Sequence, residues 1–187
     1  MQRRLISRMK RHSFIEWGKA VLFAAGLALL IRLFLFEPYM VEGSSMDPTL
    51  HDGERLFVNK ALFVSGGIRH GDIVIISGQE KGIHYVKRVI GLPGDRIEVR
   101  DHKVRVNGMQ SDEPYIKSNE QKAAELGTYI MEDFPPVKVP KDKVFVMGDN
   151  RANSMDSRNG LGSIKISRIE GKAAFIFYPF EKIRSTK

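Results

Sequence analysis

The stretch Ile83–Gly108, IHYVKRVIGLPGDRIEVRDHKVRVNG, decides the fold class. Its first part, Ile83–Gly91, alternates imperfectly between apolar and polar residues, as a strand with both faces partly covered does. GLPGD, Gly91–Asp95, packs one Pro and two Gly into five residues and reads as a turn. Arg96–Gly108 then holds two alternating segments around Asp101, His102 and Lys103, the pattern of a hairpin.

Outward from this stretch the signals stay β. RLFVNK (Arg55–Lys60) and DIVIIS (Asp72–Ser77) are short runs rich in β-branched residues, and KVFVMGDN (Lys143–Asn150) and KAAFIFYPF (Lys172–Phe180) supply two more strands. KSNEQKAAELG (Lys117–Gly127) favours a helix, with good helix formers and a terminal Gly. Its polarity suggests a surface insertion spanning about residues 111–136. The expected fold class is mainly β: one compact antiparallel sheet or barrel-like domain from residue 37 to residue 187.

The other end of the chain has different chemistry. Trp17–Phe36, WGKAVLFAAGLALLIRLFLF, is apolar over about 20 residues, enough to cross a hydrocarbon core of roughly 30 Å. Arg32 lies about one turn from the far end, where its guanidinium can snorkel to headgroups. Arg3, Arg4, Arg8, Lys10, Arg11 and Lys19 face only Glu16, so five of the eight net positive charges sit at this end. That asymmetry predicts a cytoplasmic basic segment (1–16), a transmembrane anchor helix (17–36) and an extracytoplasmic domain (37–187). No A-x-A-like site follows the run, which favours an anchor over a cleaved signal. Tyr39 and Met40, just beyond it, are either bilayer contacts or core residues. The near-balanced charge of the remainder argues against nucleic acid as a partner. The absence of cysteine excludes thiol catalysis, disulfides and thiolate metal sites.

Three places concentrate reactive side chains. Ser44 and Ser45 are paired beside Pro48. In a strand Lys87 and Arg88 point to opposite faces, so one of them is expected inside. Burial disfavours a lysine's charge and lowers its pKa, whereas arginine stays protonated, so Lys87 is the candidate base of the two. His84, opposite Lys87 on the same strand, is a weaker candidate. The loop Met147–Gly162 holds Asp149, Asn150, Arg151, Asn153, Ser154, Asp156, Ser157 and Arg158. It can be read as a calcium loop, although its spacing does not fit an EF-hand; as a polar loop in which Asp156 pairs with Arg158; or as a shell that orients a base. No metal-ligand spacing appears elsewhere.

Four segments in order after one span, SSMDPTL (Ser44–Leu50), HGDIVI (His70–Ile75), YVKRVIGLPGD (Tyr85–Asp95) and GDNRANSMDSR (Gly148–Arg158), closely resemble the sequence boxes of bacterial type I signal peptidases. The short chain and single span are similar to the small enzymes of Gram-positive bacilli. The resemblance implies a serine endopeptidase with a Ser-Lys dyad, Ser45 as nucleophile and Lys87 as general base. It implies that Ser154 hydrogen-bonds the lysine amine and that Asp156 and Arg158 hold the site together. Gly43, Ser44 and Ser45 would form the oxyanion region, with Gly43 where longer enzymes carry a serine. Tyr85 would line the substrate cleft. Ala152 departs from the acidic residue common at that place in the box. Signal peptides of secretory precursors, the lipid bilayer and proximity to the secretion translocon are the implied partners, in a bacterial plasma membrane, with no cofactor and no metal. A self-cleaving Ser-Lys repressor-type domain and a non-catalytic tethered β-domain are the alternatives. The apolar span argues against the first.

Overall fold

The computed structural model describes residues 16–27, 36–60 and 67–186. Residues 16–27 form helix α1. Among the described residues no helix is long and apolar enough to cross a membrane. The rest of the expected anchor, 28–35, and most of the expected basic segment, 1–15, lie outside the described residues. The expected anchor boundary shifts: Phe36 already opens strand β1 (Phe36–Met40). Pro38 cannot continue a helix and biases Glu37 toward extended backbone, which accounts for the shift.

The unit from Pro38 to Lys187 is mainly β. Its strands are β2 (Arg55–Asn59), β3 (Ile73–Ser77), β4 (His84–Gly91), β5 (Arg96–Arg100), β6 (Lys103–Val106), β7 (Met109–Gln110), β8 (Phe134–Lys138), β9 (Lys143–Met147), β10 (Ile164–Lys165), β11 (Ile169–Tyr178) and β12 (Arg184–Ser185). Helix α2 is Lys117–Glu125. Among the described residues two sheets form, where a single one was expected. The larger runs β1-β2-β11-β3-β4-β9-β10, with β12 also paired to β11, and the smaller runs β7-β6-β5-β8. The turn Gly91–Asp95 redirects the chain from β4 in one sheet to β5 in the other. β5 and β6 pair antiparallel around Asp101 and His102, both at positive φ (54° and 60°), so the hairpin stands where it was expected.

The apolar run of β3 reflects burial on both faces. Ile73 and Ile75 pack with Val41, Met46, Leu50, Leu56, Val58 and Ile176. Val74 and Ile76 pack with Val89, Val144, Val146, Ile164 and Ile169. A third cluster joins the smaller sheet (Ile97, Val99, Val104) to Ile90, Phe145 and Met147, and it includes Ile116, Ala123, Ile130 and Met131. The insertion lies at the surface, with most of its helix exposed, and these few buried residues tie it to the core. Helix α2 is polar on average, but its single buried Ala123 and its flanking Ile116 and Ile130 seat it in the core. Strand β8, FPPVK, was not among the expected strands and carries two prolines. It lies at the edge of the smaller sheet, where a missing N–H is tolerated.

Candidate active site

Ser45 lies in a tight turn between β1 and β2. The N–H of Asp47 donates to Ser44 O (3.1 Å), and the N–H groups of Thr49 and Leu50 both donate to Met46 O (2.9 and 3.0 Å). Met46 and Leu50 are buried anchors that fix this turn to the sheet, while Ser45 stays partly accessible. Gly43 precedes it with φ +82°, a backbone conformation that side chains rarely adopt, which explains a glycine there. The Gly43 N–H donates to Asp52 Oδ1 at 2.7 Å.

Lys87 reaches this turn from the middle of β4. Its Nζ is hydrogen-bonded to Ser45 Oγ at 2.6 Å. The side chain is 4% exposed. Strand register pairs Lys87 with Val74 of β3, and alternation puts it on the face of Tyr85 and Val89. Burial pushes its pKa down to about 8 from 10.5, against the opposing through-space pull of Asp156 and Asp149. The expectation that only one of Lys87 and Arg88 is interior fails, because Arg88 is also buried, at 6% exposed. Its charge survives there through ion pairing. Nε and Nη2 of Arg88 donate to the two oxygens of Asp149 at 2.9 and 2.6 Å.

The loop after β9 frames the same turn. Gly148 sits against it so closely that a Cβ would meet Ser154 Oγ at 2.2 Å and Ser45 O at 2.4 Å. The Asn150 N–H donates to Ser45 O (3.1 Å), and its side-chain amide donates to Ser44 O (3.1 Å). Asn153 Nδ2 donates to Ser44 Oγ (3.0 Å). Asp156 is fully buried and accepts from Arg158 Nε and Nη2 (2.9 and 2.8 Å) and from the Gly148 N–H (3.1 Å). Burial pushes the Asp156 carboxyl up, but Arg158 and these donors outweigh it and hold it below the usual carboxylate range. The polar-loop reading thus describes this segment. Its two buried carboxylates, Asp149 and Asp156, are committed to arginines, which leaves the calcium reading without its strongest ligands.

The expected hydrogen bond from Ser154 to Lys87 is not formed. Ser154 Oγ is buried and has no hydrogen-bond partner among the described residues. Tyr85 is half-buried against the cluster of Val74 and Ile76, two residues before Lys87 on the same face. His84 is not brought to the serine. Its Nε2 lies 3.2 Å from Glu170 Oε1 and its ring meets Tyr39 edge-on. Tyr39 is packed against the core and donates to Glu170, so core residue is the better description of it. Met40 is 54% exposed.

Several contacts in this frame were not foreseen from the residues singled out above. Arg151 pairs with Glu113 through two bonds, Nη1 to Oε2 at 2.9 Å and Nη2 to Oε1 at 2.6 Å, and its Nε donates to Gly148 O at 3.0 Å. Thr49 Oγ1 donates to Asp149 Oδ2 (2.5 Å), and Asn119 Nδ2 donates to Asp47 O (3.1 Å). Arg88 and Asp149 were visible as charges without a visible partner. Glu113 and Asn119 carry no local pattern, since their partners are 38 and 72 residues away.

A family model described as signal peptidase, peptidase S26, matches residues 14–178. The chain is 57% identical over 181 residues to signal peptidase I T of Bacillus subtilis (strain 168), covering 97% of this chain and 94% of that protein. It is 58% identical to signal peptidase I of Bacillus amyloliquefaciens, over 96% and 93% of the two chains. The crystal structure of a signal peptidase I from Enterococcus faecalis V583 superposes with a TM-score of 0.51 at 32% identity, covering 56% of this chain and 95% of that one.

Proposed function

The chain belongs to the S26 signal peptidases, serine hydrolases that remove signal peptides, and we propose that it cuts with Ser45 as nucleophile and Lys87 as general base. The observation that carries this reading is the 2.6 Å contact between Ser45 Oγ and an amine that burial holds near pKa 8. A neutral lysine accepts a proton near physiological pH, and a serine hydroxyl at hydrogen-bond distance is its substrate.

The cycle follows from that pair. The cleavage region of a precursor binds extended, by strand addition at a sheet edge. Lys87 takes the Ser45 proton as Oγ attacks the scissile carbonyl. The Ser45 N–H makes no hydrogen bond within the described residues and serves as an oxyanion donor. The Gly43 N–H does not, because Asp52 already holds it. Protonated Lys87 then gives its proton to the leaving amine, which departs as the mature chain. The acyl-enzyme is released by water that Lys87 deprotonates. Small residues one and three before the cut suit shallow pockets, since alternate side chains of an extended peptide point the same way. Tyr85, near Lys87 on the same strand face, is assigned to the wall of this cleft.

Asp156 and Arg158 act as the frame that keeps the loop against the Ser45 turn. Ser154, with its buried hydroxyl unpartnered, is assigned as the acceptor that steadies the lysine ammonium when Ser45 is acylated. The polar loop hydrogen-bonds the Ser44 carbonyl and hydroxyl, so Ser44 is assigned a structural part in the oxyanion turn. The proposed enzyme is anchored in the plasma membrane by the apolar stretch 17–35, with the β-domain outside. There it meets precursors tethered in the same bilayer as they leave the translocon, which raises their effective concentration.

The test uses detergent-solubilised protein and a secretory precursor. Ser45→Ala and Lys87→Ala are each expected to abolish release of mature protein. Release at the parent rate by both variants ends the dyad reading and favours a tethered binding domain.

A further inference from the structure

The insertion between β7 and β8 touches the proposed dyad frame at three separate points. First, Asn119, in the opening turns of α2, donates to the carbonyl of Asp47 at 3.1 Å. Asp47 closes the turn that presents Ser45, since its own N–H bonds Ser44 O. Second, the Tyr115 ring lies under the Arg88 guanidinium, with Cζ 3.8 Å from the ring centre. Arg88 follows Lys87 directly and also holds Asp149. Third, Glu113 is the two-bond partner of Arg151, whose Nε grips Gly148 O. Gly148 is the residue packed on the Ser45 backbone.

These contacts come from one connected piece. The Tyr115 hydroxyl donates to Glu113 Oε1 at 2.7 Å, which ties two of them together. Burial, then the neighbouring Glu113 charge, raises the Tyr115 pKa, so it remains a neutral donor through the working pH range. Ile116 and Ala123 anchor the piece in the hydrophobic core. Nucleophile turn, lysine strand and glycine loop come from distant parts of the chain, and the insertion is bonded to each.

We infer that the insertion is a brace for the reaction, with Asn119 as a positioning residue that fixes the Ser45 turn relative to Lys87. The inference rests on the dyad reading. A Ser45 Oγ displaced by a fraction of an ångström still binds precursor but loses alignment with the amine, so the loss falls on kcat. Misplacements of about 1 Å cost up to about 100-fold in well-aligned sites. Loss of one neutral hydrogen bond corresponds to roughly three- to tenfold.

The experiment compares the full-length parent with Asn119→Asp, Asn119→Ala and Asn119→Gln in detergent, using a secretory precursor and reading kcat, KM and Tm. Asp keeps the shape of Asn but replaces the donor with an acceptor facing Asp47 O. The Asp and Ala variants are expected to lose about five- to tenfold in kcat, with KM within twofold and Tm within about 2 °C of the parent. Gln, which restores a donor, is expected to recover part of kcat. Parent kcat in both Asp and Ala variants overturns the inference. So does a loss of kcat that tracks a drop in Tm, which would make Asn119 a stability residue only. Ser45→Ala and Lys87→Ala are run alongside. If those two stay active the dyad reading itself has failed, whereas if they are dead and Asn119 variants are normal, only the brace has.

Discussion

Val74 sits between two buried lysines, and they behave differently. Its register partner in β4 is Lys87; its partner in β11 is Lys172. They are 4% and 8% exposed. Lys172 Nζ lies 2.7 Å from the Asp72 carboxylate, an ion pair that compensates its burial. Lys87 has a serine hydroxyl at that distance instead, and the nearby carboxylates Asp149 and Asp156 are each bonded to an arginine. Both amines are buried, one against a carboxylate and the other against a hydroxyl.

The sharpest contrast is in activity. Lys87→Ala should lower kcat at least about 10³-fold, since an activated nucleophile and its base act as a unit. Lys172→Met should keep kcat and KM within about threefold in the same precursor assay. A comparable loss from both would erase the distinction.

Stability should reverse the order. At pH 7 both the folded and unfolded proteins hold the Lys87 proton, and the shift from 10.5 to about 8 corresponds to a cost of about 3 kcal/mol for charging the buried amine. Lys87→Met should therefore unfold at higher denaturant at pH 7. Between pH 8 and 10.5 the unfolded state binds more protons at this group than the folded state, so the parent gains stability as pH rises. The advantage of Lys87→Met should then fade toward pH 10.5. Lys172→Met removes the lysine from Asp72, which keeps the Arg69 N–H, and should destabilise by about 1–3 kcal/mol in urea titrations.

A pH profile sharpens the comparison further. The base form of Lys87 accumulates above its pKa, so kcat/KM should fall about tenfold per unit as pH drops below about 8. A profile flat from pH 6 to 9 excludes a lysine base. The smallest effect belongs to Ser154→Ala. The hydroxyl makes no bond within the described residues, so stability should change by less than about 1 kcal/mol. The proposed contact with charged Lys87 should appear as a loss of a few-fold in kcat, read from the same assay.

Much of this comparison was legible in the chain, for reasons that are local. The runs DIVIIS and YVKRVIG gave strands because β-branched residues and period-two spacing act over a few residues. Lys87 stood out because an amine flanked by Val86, Val89 and Ile90 must be desolvated if its face is covered. Arg88 was misread because one of the adjacent pair was expected outside, although the imperfect alternation already pointed to a strand covered on both faces, as separate clusters cover it here. The attachment of the surface insertion to the core was not legible either. The low average hydropathy of α2 conceals the buried Ala123 and the Asn119 that reaches Asp47. Likewise Ser154 was assigned a bond to Lys87 that this structure does not contain, because a box specifies residue order and not which hydroxyl faces the amine. Long-range pairs such as Glu113–Arg151 leave no trace in composition or period.

The central claim is that Lys87 is deprotonated where an ordinary lysine is not. It is tested most directly by NMR titration of the protein labelled with ¹³C at lysine Cε, with the Lys87 signal assigned by its loss in Lys87→Met. A midpoint near pH 8 is the expected result. A Lys87 signal that stays in its ammonium position through pH 10 would contradict it.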